Sequence, residues 1–202
     1  MVRRCLHPAA LIASAVVLAA LHPLPALAHA AAGHGGGFLG GLLHPISGLD
    51  HVVAMVAVGM WGVVLGPPAI WVLPVAFPLV MAIGGLLGMI GVPIPGVEIG
   101  IAVSGLVMGL AVLFELKPPL AVACLIVAAF AVFHGHAHGA ELPAGESAIL
   151  FSLGFVIATG LLHLAGILLG ETRRWRGGRA FVRGAGGAVA LAGLFFLERA
   201  LV

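Results

Sequence analysis

The sequence predicts an all-α integral membrane protein, with six transmembrane helices following a cleaved signal peptide. Of its 202 residues, 62% are hydrophobic and 8% charged, with a mean hydropathy of +1.24. Soluble domains carry roughly a quarter charged residues. The apolar residues fall into runs close to the ~20 that cross ~30 Å of hydrocarbon as a helix. The 31 glycines suit close helix packing in lipid, and long uninterrupted apolar runs do not match the alternation of a barrel strand.

The first element is the signal. Arg3 and Arg4 precede an apolar run over 9–21, and Ala26-Leu27-Ala28 supplies the small residues of a cleavage site. The run stops at His22 and Pro23 after about a dozen residues, short of the roughly 20 a span needs. Cleavage after Ala28 separates a signal peptide, 1–28, from a six-helix transmembrane domain, 29–202, that begins at His29.

Six apolar runs then follow, approximately 44–65, 69–91, 97–115, 119–138, 147–170 and 180–200. Pro67-Pro68, the 91–96 stretch with its two prolines, Pro118-Pro119 and the 141–145 stretch separate the first five, because Pro cannot continue a helix and Gly readily leaves one. Cys5 falls in the signal and Cys124 in an apolar run, so there is no disulfide framework. The formal charge of +2 comes from Arg3 and Arg4, and nothing in the balance points to nucleic acid.

A cleaved signal delivers the mature N-terminus to the periplasm of a diderm bacterium. The loops after the first, third and fifth spans then face the cytoplasm. Charge agrees: the loop after the fifth carries Arg173, Arg174, Arg176, Arg179 and Arg183, the loop after the third carries Lys117, and the opposite loops have no Lys or Arg. Glu115, beside Lys117, reads as a solvated cytoplasmic end. This orientation sends every candidate ligand below to the periplasmic side.

Two clusters carry chemistry. His44-Pro-Ile-Ser-Gly-Leu-Asp50-His51 places two imidazoles and the only aspartate at the start of the first span, and Phe133-His134-Gly-His136-Ala-His138-Gly-Ala-Glu141 closes the fourth. Ionisable groups in lipid are costly unless paired or coordinating. A His/Asp/Glu set without thiolate suits a divalent transition metal such as nickel, cobalt, copper or zinc. His134, His138 and Glu141 share one helix face at rises of about 6 and 4.5 Å, within reach of one ion, and His136 points away. His44 and His51 share a face too, but on a straight helix they lie about 10.5 Å apart. Either Pro45 and Gly48 break the segment so that it folds back, or the two histidines are successive positions on a path. Asp50 is the expected charge anchor. Glu98 at the start of the third span, His163 within the fifth, and His29 with His34 in the glycine-rich leader are further candidates.

These residues resemble the HupE/UreJ family of hydrogenase and urease accessory proteins, permeases for nickel and in some members cobalt. The resemblance spans the mature chain and rests on His44-Pro-x-Ser-Gly-x-Asp50-His51 and Phe133-His134-Gly-x-Ala-His138-Gly-x-Glu141. It implies a six-helix permease of the bacterial inner membrane and a link to hydrogenase or urease maturation. It implies importance for His44, Asp50, His51, His138 and Glu141, and by position marks Phe77 and Glu98 as the family's other functional aromatic and acid. His136 falls on a variable position of the motif.

The expected function is uptake of a divalent metal, nickel first, by a secondary permease or facilitator, since no P-loop couples hydrolysis. The expected partners are the metal ion and the lipid bilayer, with a homo-oligomer compatible and no organic cofactor. Two other classes compete. An intramembrane hydrolase would need Ser104 and His163 within hydrogen-bond reach. A bis-histidine haem protein would need facing histidines with few acids nearby, and here acids accompany them.

Overall fold

The computed structural model describes residues 37–142 and 147–202. The signal peptide, His29 and His34 lie outside the described residues. Those described form seven α-helices and no strand: α1 (Gly37–Ser47), α2 (Leu49–Leu65), α3 (Ala69–Met89), α4 (Val97–Leu113), α5 (Leu120–Ala140), α6 (Ala148–Glu171) and α7 (Gly178–Leu201), with a short 3₁₀ turn at Thr172–Arg174.

The first expected span, 44–65, is the main correction. It starts earlier, at Gly37, and is two helices, α1 and α2, bent by 82°. Gly48 makes the break, with extended backbone (φ −96°, ψ 110°) as the N-cap of α2. Among the described residues four helices are long and apolar enough to cross a membrane, α3, α5, α6 and α7, and the bent pair makes a fifth when taken as one span. The expected run 97–115 forms the 17-residue α4, which at 1.5 Å per residue is about 25 Å long and falls short of the ~30 Å core.

The helices meet backbone to backbone in seams. On α5, a Cβ at Gly135 would lie 2.0 Å from the Met81 carbonyl oxygen, and one at Gly139 2.0 Å from that of Gly85, both on α3. Gly59 and Gly166 make the same approach between α2 and α6, Gly41 and Gly154 between α1 and α6, and Gly109 and Gly193 between α4 and α7. Small residues take this role in lipid, where close contact between helices replaces the hydrophobic drive. α2 runs through the middle, with Met55, Val58, Met60, Trp61 and Val64 buried, while Trp71, Leu79, Leu125, Leu168 and Leu191 face outward.

At the arginine-rich end, Glu115 is not a solvated terminus. Its φ of +50° puts it in the left-handed region that costs a non-glycine residue roughly 1 kcal/mol. There it terminates α4, with the Leu116 N–H donating to the Ala111 carbonyl (2.9 Å) and its own N–H to Val112 (3.2 Å). Its side chain accepts from Arg173 Nη2 at 3.2 Å and from Arg179 Nε at 2.7 Å. Arg173 also donates to the Val63 and Val64 carbonyls ending α2, and Arg183 to that of Leu113. Cations at helix C-termini satisfy orphan carbonyls and oppose the dipole. The Arg179 hydrogen bond holds the Glu115 carboxyl below the usual carboxylate range.

Candidate metal site

The break at Gly48 builds the site. His44 lies in the last turn of α1, and Asp50 in the first turn of α2, next to His51. A Cβ at Gly48 would lie 2.9 Å from Asp50 Oδ1 and 3.0 Å from His51 Nδ1, so glycine leaves room for that pair. Of the two readings left open by the sequence, the broken segment is the one observed. Both histidines reach the same partner: ring centroids are 4.7 Å apart for His44 and His138, and 4.3 Å for His51 and His138.

At the outer end, His44 Nε2 sits 3.2 Å from Glu141 Oε2. One ligand atom each from His44, His138 and Glu141 lies within 4.8 Å of the others, a spacing that admits a shared cation. Glu141 caps α5 and is exposed, its N–H donating to the Ala137 carbonyl at 3.1 Å, while His138 is buried. Neither ring nitrogen of His138 has a hydrogen-bond partner among the described residues. The C-termini of α1 and α5 converge here, and their partial negative charge favours a cation.

Further in, two second partners fix two tautomers. His51 Nδ1 donates to Asp50 Oδ1 at 2.9 Å, and the His51 N–H donates to the same oxygen at 2.9 Å. The buried Nε2 is thereby left with its lone pair and no partner, as in the carboxylate–histidine arrangement of metal sites. Ser104 Oγ donates its one proton to the Ile101 carbonyl at 2.6 Å, so its 2.8 Å contact with His134 Nε2 is a bond donated by the imidazole. That leaves His134 Nδ1 buried and free of partners and 4.7 Å, centroid to centroid, from the ring of His51.

The expected single face of His134, His138 and Glu141 therefore divides. Glu141 lies beyond the end of α5 and turns to His44, while His134 lies one turn deeper with Ser104 and His51. Asp50 meets His51 and is not in the three-ligand group. His136 points elsewhere, as expected, donating from Nε2 to the Val92 carbonyl at 2.7 Å. Glu98 is exposed in the first turn of α4 and also outside that group. Phe77 is buried, its ring in T-shaped contact with those of His134 (centroids 5.5 Å apart) and His163 (5.3 Å). Ser104 engages His134 rather than the His163 that a hydrolase reading pairs with it. Ser104's role was missed; a lone hydroxyl in a glycine-rich apolar span was its only signal.

Three comparisons bear on identity. The family described as HupE / UreJ protein matches residues 16–196. Protein HupE of Rhizobium leguminosarum bv. viciae is 51% identical over 181 residues, covering 89% of this chain and 94% of that protein. No solved structure matches. With the two signatures folded onto one cluster, and with a match over most of its length, the chain belongs to the HupE/UreJ family of metal permeases and is not an enzyme.

Proposed function

We propose that the chain takes up a divalent transition metal, nickel first, across the bacterial inner membrane as a secondary permease or facilitator. The reading takes six spans, with α1–α2 as one broken span and α4 as a short one, and puts the His44–His138–Glu141 end in the periplasm. The observation that carries it is the convergence of His44 and Glu141 on His138, an open group of nitrogen and oxygen donors at the end of the bundle opposite the arginines. Below it, Asp50 orients His51 and supplies the charge that offsets a cation in a low-dielectric setting. Broken helices serve ion sites in many transporters, because their ends leave backbone and side-chain donors for the ion. Nickel over cobalt, and service to hydrogenase or urease maturation, rest on the family resemblance.

The test is metal accumulation in cells expressing the chain, measured across nickel, cobalt, copper and zinc, with Asp50→Asn alongside. This variant keeps size and hydrogen bonding but removes the charge. Expected is loss of nickel uptake at a near-normal membrane level; normal uptake by the variant would overturn the reading.

A further inference from the structure

The imidazoles do not end at the described cluster. From His44 the rings run to His138, His51 and His134, and then the Phe77 ring links His134 to His163, in T-shaped contact with both. His163 lies on α6, about 22 Å along the axis from its start. It is 1% exposed, and neither of its nitrogens makes a hydrogen bond among the described residues. A buried imidazole left this way forfeits its hydrogen bonds.

Two oxygen donors accompany it. Pro74 and Pro78 both lie inside α3; Pro78 has no N–H, so the Pro74 carbonyl one turn earlier lacks its helical donor. That carbonyl faces His163 without completing a hydrogen bond of normal geometry. Thr159, four residues before His163 on the same face of α6, is fully buried, and its hydroxyl also has no partner. Packing alone would have filled this spot with an apolar side chain.

We propose that His163 forms a second, inner site for the metal in transit, reached from the outer cluster past Phe77, with the Pro74 carbonyl and the Thr159 hydroxyl as its other donors. One nitrogen and two neutral oxygens hold a first-row divalent ion more weakly than a set including a carboxylate, which suits a site that must release its cargo inward. The proposal rests on the permease reading above.

The test places a thiol at the site and uses cobalt(II) as the probe. The full chain is purified with Cys5 and Cys124 replaced by Ala, and either His163→Cys or His138→Cys is added. A thiolate bound to cobalt(II) shows a near-ultraviolet charge-transfer band that no packing or proton-relay role would produce. A band with His163→Cys, absent from the cysteine-free background, is expected. A band with His138→Cys alone would overturn the inner site and leave the permease reading standing; none with either would overturn both. Pro78→Ala is the second variant. It restores the helical donor to the Pro74 carbonyl without threatening the fold, and should lower cobalt uptake about tenfold, the cost of disturbing a metal's supporting groups. Unchanged uptake would remove the carbonyl from the site.

Discussion

His44 Nε2 and Glu141 Oε2 lie 3.2 Å apart, joining the end of α1 to the end of α5 across 97 positions of sequence. The contact is possible only because the chain turns by 82° between α1 and α2. Were the segment straight, His44 would lie about 10.5 Å along the axis from His51, and the two could not flank His138 together.

Glu141→Gln keeps the size of the side chain and an oxygen beside His44 Nε2 but removes a charge from the outer group. Nickel uptake at sub-saturating metal should fall about tenfold or more, in line with losses when a metal's ligands or their supports are altered. Radiolabelled nickel accumulation at fixed membrane level checks it, and uptake equal to the parent would remove Glu141 from the path.

His136→Ala should change uptake by less than about twofold, since its half-buried side chain turns to the Val92 carbonyl, outside the three-ligand group, and substitutions away from buried networks usually shift stability by within ~0.5 kcal/mol. His138→Ala should abolish uptake. If the two variants prove equally damaging, the face assignment of α5 is wrong.

Orientation can be read from single cysteines in a background lacking Cys124. Val92 lies in the loop between α3 and α4, and the strongly exposed Trp175 lies between α6 and α7. An impermeant thiol reagent applied to outer-permeabilised cells should label Val92→Cys and spare Trp175→Cys. Intact mass of the same material should show a chain starting at His29. The reverse labelling pattern would invert the bundle and with it the direction of transport.

The clasp at Glu115 has a pH dependence with a definite sign. Its carboxyl is lowered from an ordinary value of 4.5, first by the hydrogen bond from Arg179. Its contribution to stability is therefore complete above 4.5, and it is lost as the pH falls below that value through the lowered folded one. Glu115→Gln should flatten the acid limb of a thermal-stability profile and leave the neutral plateau less stable. An acid limb identical to the parent's would show that the clasp is not what titrates.

Much of the candidate site is legible because lipid makes imidazole and carboxylate conspicuous: His44, Asp50, His51, His138 and Glu141 all stand out of apolar runs. The register of α5 could be read from helical spacing, which placed His136 off the face. What could not be read was the direction of a broken chain. Pro45 and Gly48 permit a fold-back, but the angle depends on α1 docking against α6 through Gly41 and Gly154, a contact between distant residues. Glu115 failed for a related reason. A charged residue next to Lys117 looks solvated until α6 and α7 bring Arg173 and Arg179 to it.

The glycine seams have a mechanical consequence. Contacts in which an added Cβ would come under 3.0 Å of another helix's backbone join α3 to α5, α4 to α7, and α6 to both α1 and α2. Interlocked backbones cannot slide or tilt without collision, so each group moves as one piece, and opening must happen along the side-chain boundaries between groups. His138 rides with α3 and α5, whereas His44 and His51 ride with α6; the cluster straddles such a boundary. On the permease reading, parting the pieces would dismantle the proposed outer ligand set and couple ion release to rocking of the bundle. A cysteine pair bridging α3 and α6 should therefore arrest uptake when oxidised, whereas a pair within the α3–α5 seam should be tolerated.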